Sequence, residues 1–173
     1  GVDLSHVERD SAAPTGIYFV HHDEAGHHFS YRRAGSAASL MRPDQVPHEA
    51  IRGAALLHAS GISLAISDSA ADSVFAGIAT ARDAGVPVSF DPNLRLNLWP
   101  SGRARALIHA AMALCDLALP GLDDARQLSG RESPEDVANF YLDLGAKIVA
   151  LTLGAEGALV ATKDGIHRVA PRP

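Results

Sequence analysis

Short apolar runs alternate with segments of helical periodicity along most of this sequence, and that alternation limits the folds available to it. The runs AALLHASGI (54–62), VPVSF (86–90) and KIVALTL (147–153) have the length and composition of buried strands. Between the first two, residues 67–84 carry apolar side chains at helical spacing, and Gly85 ends the run. Such a unit joins parallel strands through a right-handed crossover. The sequence therefore predicts an α/β fold with a mostly parallel sheet and helices on both faces.

The same patterns predict the remaining elements of this body. Helices are predicted over residues 43–53, 103–114, 121–130 and 133–145, and a short strand over residues 116–120. These elements continue the alternation of strand and helix. The short strand is therefore expected to join the same sheet, and the helices are expected to pack on it.

The strand at residues 86–90 ends abruptly in the polar turn Asp91-Pro92-Asn93-Leu94-Arg95. Pro92 cannot donate to a sheet ladder and biases Asp91 away from helix, which suits a strand that leaves its sheet. Ligands of open α/β sheets bind outside the carboxyl ends of the strands, so Asp91, Asn93 and Arg95 are candidate site residues. A polar turn without a ligand explains these residues equally well.

A glycine turn, Thr152-Leu153-Gly154-Ala155-Glu156-Gly157, leads into the hairpin strands ALVAT and IHRVA. A Walker A or dinucleotide motif requires a helix after the turn, and neither G-x-G-x-x-G nor G-K-[ST] is present. Gly154 and Gly157 still allow a backbone to lie close to a nucleotide, and Thr152 can donate to a phosphate. Taken alone, this signal is weak.

Residues 15–33 predict an antiparallel pair of strands, TGIYFV and FSYRR, joined by a hairpin loop at residues 23–26. Alternation places Tyr31 and Arg33 on one face, where Tyr18 of the partner strand can join them. Two phenols and a guanidinium suit a hydroxylated, negatively charged ligand. The alternative is a solvated hairpin face, which composition alone favours.

Four histidines, His21, His22, His27 and His28, flank the predicted hairpin turn. Imidazole clusters bind zinc, but adjacent histidines point to opposite sides of a strand, and no carboxylate or cysteine completes an obvious set. We therefore predict a solvent-exposed turn rather than a metal site.

The composition excludes several classes of function. The chain has 173 residues, 47% of them apolar, a formal charge of −5, and lysines and arginines that are scattered. This argues against nucleic acid or an anionic membrane as the main partner and favours small molecules. The single cysteine, Cys115, excludes an internal disulfide and is predicted to be a buried, inert thiol. With no apolar run resembling a membrane span or a secretory signal, a cytoplasmic location is predicted.

Five stretches together resemble the ribokinase-like (PfkB) family of carbohydrate kinases. They are TGIYFV…FSYRRAGSAAS, HASGI, DPNLRLNLW, LPGLDDARQLSG and TLGAEGAL, in the family's order and across nearly all of the chain. AGSAAS after a Tyr-x-Arg strand, and DPNLR followed by LW, resemble the 2-keto-3-deoxygluconate kinase branch. The resemblance implies part of a three-layer α/β sandwich. Residues 15–34 would form a β-sheet lid, and residues 35–173 would form part of the nucleotide- and sugar-binding core.

The resemblance further implies transfer of the γ-phosphoryl group of ATP to the terminal hydroxyl of 2-keto-3-deoxygluconate, giving the 6-phosphate, with Mg²⁺ as cofactor. It implies a homo-oligomer formed through the lid, whose strand edges are available for pairing. Carried over by position, the residues that contact the sugar acid are Tyr18, Tyr31, Arg33, Gly61, Ile62, Asn93 and Arg95. The residues along the nucleotide are Thr152, Gly154, Gly157 and Asp124.

The sequence departs from the family pattern in two places. Gly121 and Asp124 stand where many members carry the Asn and Glu of an N-x-x-E motif, which puts direct Mg²⁺ organisation by this loop in doubt. The Gly-Ala-Gly-Asp motif that supplies the family's catalytic base and anion hole is absent, while Asp91 takes a structural role by resemblance. The base is therefore expected beyond Pro173. The chain is expected to be the middle portion of a longer enzyme, inactive by itself.

Three alternatives stay open at this point. The first is another sugar kinase of the family, such as a fructokinase, which would depend less on Arg33 and Arg95. The second is a non-catalytic module that binds a sugar acid. The third is a nucleotide-binding dehydrogenase, which the glycine pattern disfavours.

Overall fold

The chain forms a small two-stranded sheet and a larger α/β body in a computed structural model that describes residues 1–23 and 26–171. The strands are β1 (Ile17–Asp23), β2 (Gly26–Arg32), β3 (Leu57–Ser60), β4 (Val88–Asp91), β5 (Leu117–Ala118), β6 (Ile148–Thr152), β7 (Ala158–Thr162) and β8 (Gly165–Val169). The α-helices are α1 (His48–Arg52), α2 (Gly61–Ile66), α3 (Asp68–Asp83), α4 (Ser101–Met112), α5 (Leu122–Ser129) and α6 (Pro134–Leu144). The predicted hairpin loop includes residues 24 and 25, which lie outside the described residues.

The larger sheet has six strands in the order β3-β4-β5-β6-β7-β8. The first four pair in parallel, and β7 and β8 continue the sheet as antiparallel strands. Strands β1 and β2 pair antiparallel and form a separate sheet, which we call the lid. The predicted α/β class, with a mostly parallel sheet and a small β-sheet lid, is confirmed. Among the described residues, no helix has the length and apolar character needed to cross a membrane.

The two faces of the six-stranded sheet differ in burial. On one face, the register neighbours Phe90, Ala118 and Val149 are 0% exposed and belong to a core shared with α3, α4 and α6. On the other face, Ile148 is 37% exposed and Thr152 is also exposed. Within the described residues the helices thus cover one face, whereas helices on both were predicted. The reason is strand order, because right-handed crossovers that always step in one direction place every connecting helix on the same side.

The predicted strand over residues 54–62 is a shorter strand, β3, followed at once by helix α2. The helix begins at Gly61, which packs against the carbonyl of Pro92: a Cβ at residue 61 would lie 1.9 Å from that oxygen. Apolar periodicity does not distinguish a buried strand from a buried helix over so short a run. The predicted boundary is therefore wrong, and the close packing at Gly61 explains why the chain turns there.

The helix predicted over residues 43–53 is interrupted. A 3-10 turn spans Pro43–Gln45, and α1 begins only after Pro47, which stands at its N-cap. Proline has no N–H and is tolerated at a helix start but not inside a helix, so Pro47 divides the segment. The other helices start and end within a few residues of their predicted limits, and β5 is shorter than predicted.

Asp116 joins the starts of three parallel strands. One carboxylate oxygen accepts the backbone N–H of Val88 at 2.9 Å, and the other lies 2.7 Å from the ammonium of Lys147. Burial alone raises the pKa of Asp116, but the hydrogen bonds from Lys147 and Val88 outweigh burial and hold that pKa below its usual value. The ionised carboxylate therefore stabilises the folded sheet.

Cys115 lies beside this group and is 3% exposed. Its thiol donates to the carbonyl oxygen of Met112 at 3.1 Å, and burial, with the neighbouring Asp116, raises its pKa to about 12. The predicted buried thiol is confirmed, since a group so rarely ionised is a poor nucleophile.

The substitution Asp116→Asn is expected to lower the free energy of unfolding at pH 7 by about 1–2 kcal/mol. Because the folded-state pKa lies below the unfolded one, this contribution is present above about pH 4 and lost as the pH falls through the folded value. Urea unfolding of both proteins at several pH values measures it. The exposed Asp143→Asn serves as control, and a difference from wild type that stays constant with pH would contradict the assignment.

The substitution Gly61→Ala is expected to destabilise the fold by about 1–3 kcal/mol, because the added methyl overlaps the buried Pro92 carbonyl. The matched control is Gly102→Ala in α4, where a Cβ meets nothing within 4 Å. That control is expected to be neutral or to stabilise by about 0.4–1 kcal/mol. Thermal unfolding of the two variants compares them, and equal midpoints would show that the contact with Pro92 carries no cost.

Candidate functional site

The candidate residues of the body follow the carboxyl ends of neighbouring parallel strands. Ser60 and Asp91 are register partners at the ends of β3 and β4, so Gly61 and Asn93 follow at one edge of the sheet. The end of β6 is reached by a parallel bridge between Gly121 and Thr152. This edge is where ligands of open α/β sheets bind.

The turn after β4, residues 92–95, is held by side chains because it has left the sheet ladder. Asp91 accepts the backbone N–H of Asn93 at 3.0 Å, and Asp124 of α5 accepts that of Leu94 at 2.8 Å. Asn93 has a φ of 36°, a left-handed conformation that asparagine tolerates better than most residues. The Leu94 side chain is 7% exposed and anchors the turn in the core. We call residues 92–95 the acceptor loop.

The pKa values of the two carboxyl groups beside the acceptor loop depend on burial and on nearby positive charge. Burial raises the pKa of Asp91, and the Asn93 N–H, His58 and Arg95 oppose that rise. Burial likewise raises the pKa of Asp124, against the Leu94 N–H and Arg95. Arg95 therefore provides the positive charge next to two half-buried carboxyl groups.

One face of the lid carries the residues that alternation predicts. Tyr18 and Tyr31 are register partners, with ring centroids 6.3 Å apart, and the guanidinium of Arg33 lies 5.2 Å from the Tyr31 centroid. Phe29 completes the row: its ring stacks on Tyr31 at 6.3 Å with an interplanar angle of 12°. Phe29 was not among the predicted residues, although it stands two positions before Tyr31 and alternation places it on the same face.

The same lid face meets the acceptor loop. The guanidinium of Arg95 lies 5.7 Å from the ring centroid of Phe29. The stacked pair Phe29 and Tyr31 thus carries one guanidinium from the lid, Arg33, and one from the sheet edge, Arg95. Two positive charges beside two phenols create a surface suited to an anionic, hydroxylated molecule.

The glycine turn after β6 contains two glycines with different roles. A Cβ at Gly157, where φ is 93°, would lie 2.1 Å from the carbonyl oxygen of Val169, so packing on β8 requires glycine there. Gly154, with φ 60°, has open space around it. Thr152 is exposed at the strand end, and its hydroxyl oxygen lies 3.5 Å from where a Gly121 Cβ would stand. Thr152 and Gly154 are therefore open to a ligand, while Gly157 shapes the turn.

Two predicted positions have surroundings that the sequence did not indicate. Ile62 lies in the first turn of α2 and is half-buried, rather than in a strand end. Asp124, expected beside the nucleotide, directs one carboxylate oxygen to the acceptor loop. That contact joins residues 30 positions apart, which local sequence patterns do not indicate.

Of the four histidines at the lid turn, the structure describes the side chains of His21, His22 and His28. Among the side chains that the structure describes, no group of three His, Cys, Asp or Glu could hold a metal ion. His28 lies 3.1 Å from the carboxylate of Asp23, and His21 and His22 are exposed. The His27 side chain lies outside the described residues.

Known proteins resemble the chain over its whole length. The model of the pfkB family carbohydrate kinases matches residues 1–173. A 2-dehydro-3-deoxygluconokinase of Thermoproteus tenax is 39% identical over 172 residues, which are 96% of this chain and 52% of that protein. The chain thus spans about half the length of this relative.

Solved structures agree in fold. A PfkB protein from Polaromonas sp. JS666 superposes with a TM-score of 0.93 at 40% identity, over 100% of this chain and 59% of that one. A fructokinase from Vibrio cholerae O395, crystallised with fructose, ADP and a calcium ion, gives 0.83 at 30% identity, over 99% of this chain and 56% of that one. With the family model matched from end to end and the fold shared, the chain belongs to the pfkB family of carbohydrate kinases.

Proposed function

We propose that the enzyme containing this chain phosphorylates 2-keto-3-deoxygluconate at its terminal hydroxyl, using ATP, to give the 6-phosphate. The observation that carries the proposal is the pair of guanidiniums, Arg33 and Arg95, on the stacked Phe29 and Tyr31. A sugar acid has a carboxylate to bind them, and a neutral sugar does not. The higher identity to a 2-dehydro-3-deoxygluconokinase than to a fructokinase supports the same choice.

In this proposal the lid and the acceptor loop hold the sugar acid between them. Arg33 and Arg95 bind the carboxylate, while the hydroxyls of Tyr18 and Tyr31 bind hydroxyl groups. The side chain of Asn93, presented by its left-handed backbone, reaches the acceptor from the sheet edge. Gly61 and Ile62, at the start of α2, line the pocket floor beside Pro92. Such positioning of both substrates supplies much of the rate enhancement in phosphoryl transfer.

The nucleotide lies along the glycine turn in this proposal. Thr152 donates to a phosphate, Gly154 leaves room for the nucleotide to approach the backbone, and Gly157 maintains the conformation of the turn. The family resemblance also predicts Asp124 beside the nucleotide. The exposed Thr152 and the open space at Gly154 fit a nucleotide. Mg²⁺ would be held mainly by the ATP phosphates and would neutralise their charge, since no group of three His, Cys, Asp or Glu among the described residues could hold a metal ion. A cytoplasmic location is proposed because ATP is available there.

The proton acceptor for the sugar hydroxyl is proposed to lie outside the 173 residues. Asp91 and Asp124 each accept a backbone N–H of the acceptor loop, so neither carboxylate is free of a structural task. No Gly-Ala-Gly-Asp segment occurs in the sequence. The chain also spans only about half of a similar kinase. In this account the described residues bind and orient the substrates, and another segment removes the proton.

ADP release from Mg·ATP by the complete gene product tests the function, with 2-keto-3-deoxygluconate, fructose and ribose as acceptors. We expect turnover on the sugar acid and little on the neutral sugars. Preferential turnover on fructose would favour the fructokinase alternative, and none on any acceptor would favour the binding module. A verified 173-residue product is expected to release no ADP, and release by it would place the base within this chain.

The substitutions Arg33→Ala and Arg95→Ala are expected to lower kcat/KM for the sugar acid by about 100-fold or more, because each removes a charge that binds the carboxylate. Arg131→Ala is the matched control, since Arg131 is exposed and lies between α5 and α6 rather than on the lid. Steady-state kinetics with both acceptors measure the effect. Equal losses on fructose and on the sugar acid would contradict a carboxylate-binding role.

We also propose that the lid joins two copies of the chain. Its outer face exposes Ile17 and Phe19, which are 48% and 57% exposed, and an isolated two-stranded sheet is marginally stable in water. Phe19→Asp is expected to reduce the molar mass in light scattering from that of an oligomer to that of a monomer. The control is Leu56→Asp, an exposed residue just before β3 and outside the lid, and equal masses for both variants would contradict the proposal.

A further inference from the structure

We propose that Asp124 is a positioning residue for the sugar acid, acting through the acceptor loop rather than through the nucleotide. This inference deepens the proposed function and rests on it for its kinetic readout. The family resemblance places Asp124 with the nucleotide residues, whereas its carboxylate in the structure accepts the Leu94 N–H at 2.8 Å.

The acceptor loop depends on few backbone contacts. Pro92 has no N–H, and the Asn93 N–H is held by Asp91, only two positions away. The Leu94 N–H is the next donor, and Asp124 holds it from a different element, α5. Among the hydrogen bonds of the described residues, that from the Leu94 N–H is the one that ties residues 92–95 to a helix. The carbonyl of Leu94 in turn accepts from the Arg95 guanidinium at 2.9 Å.

Asp124 therefore affects both groups that the loop presents. A shift at Leu94 moves Asn93 on one side and Arg95 on the other, because they are its direct neighbours in the chain. The carboxylate also acts on Arg95 through its charge. Loss of the Asp124 acceptor leaves the buried Leu94 N–H without a partner, which favours rearrangement of the loop.

The amino-terminal end of α5 connects the acceptor loop to the end of β6 at Thr152. Gly121, the residue before the helix, forms a parallel bridge with Thr152 at the end of β6. Asp124 follows three residues later, in the first turn. A series of contacts thus runs from Thr152 through Gly121 and α5 to the acceptor loop, and Asp124 makes the last of them.

The neighbouring Asp123 offers a matched control. It lies in the same first turn of α5 and carries the same charge, but its side chain is 94% exposed and its ion pair is a 3.9 Å contact with Arg126. Substituting Asp123 changes the charge near the helix start without touching the acceptor loop.

The test compares Asp124→Ala, Asp124→Asn and Asp123→Asn in the complete gene product. Asp124→Ala is expected to raise KM for the sugar acid about tenfold or more while KM for Mg·ATP changes less than twofold, since a misplaced loop weakens acceptor binding. Asp124→Asn keeps an oxygen acceptor for the Leu94 N–H and is expected to recover most of that loss. Asp123→Asn is expected to match wild type. A rise in KM for Mg·ATP with an unchanged KM for the sugar acid would overturn the proposal.

Amide hydrogen exchange at Leu94, measured without substrates, gives a second readout that is independent of activity. Exchange is expected to be at least tenfold faster in Asp124→Ala than in Asp123→Asn and near wild type in Asp124→Asn. Asp124→Leu, which keeps the branched outline of the side chain but has no acceptor, replaces the alanine variant if that variant does not fold. Equal Leu94 exchange in all variants would overturn the proposal. Absence of turnover on the sugar acid in the wild-type enzyme would instead refute the proposed function, and the exchange result would still decide whether Asp124 holds the loop.

Discussion

The site depends on the way the chain leaves β4. A strand that ends in Asp-Pro-Asn gives up its ladder bonds in the middle of a sheet, and its remaining N–H groups need other acceptors. Asp91 and Asp124 supply them, at 3.0 and 2.8 Å, and the absent side chain of Gly61 makes room for the Pro92 carbonyl. These three constraints hold the backbone that presents Asn93 and Arg95. Half-buried carboxyl groups with raised pKa values are the cost of that arrangement.

The lid contacts this loop through a weak interaction. A guanidinium over an aromatic ring contributes about 0.5–2 kcal/mol, less than a paired charge-assisted contact with a carboxylate. The guanidinium of Arg95 lies over Phe29 and that of Arg33 lies over Tyr31, so both are oriented before a ligand binds. Because these ring contacts are weak, each guanidinium can leave its ring for an anionic group that binds it more strongly. The same aromatic row gives the otherwise exposed lid a defined position against the sheet edge. Substrate binding and lid position are thereby linked in the proposed mechanism.

Much of the fold could be predicted from local pattern, and the departures have identifiable causes. The strands at Phe90 and Val149 follow from short apolar runs with β-branched residues, and the face shared by Tyr18, Tyr31 and Arg33 follows from alternation. The position of the helices on one face depends on strand order, which periodicity does not contain. The early end of β3 depends on a contact between Gly61 and Pro92, 31 positions later in the sequence.

The site shows the same division between local and long-range information. Phe29 was within reach of the alternation argument, because it stands in the row that includes Tyr31. The contact from Asp124 to Leu94 could not be predicted by alternation, because it joins two elements that are distant in the sequence and that only the fold brings together. Family resemblance gave Asp124 a place near the nucleotide, while the geometry around it concerns the acceptor loop. Motif position and atomic environment are thus separate kinds of information about one residue.

In the proposed mechanism the lid and the sheet edge bind one substrate carboxylate between them. The most direct measurement is a crystal structure of the complete gene product with 2-keto-3-deoxygluconate bound. Hydrogen bonds are expected from both Arg33 and Arg95 to the substrate carboxylate, with the terminal hydroxyl of the substrate directed toward Thr152. A sugar acid bound with its carboxylate away from both arginines would contradict this mechanism.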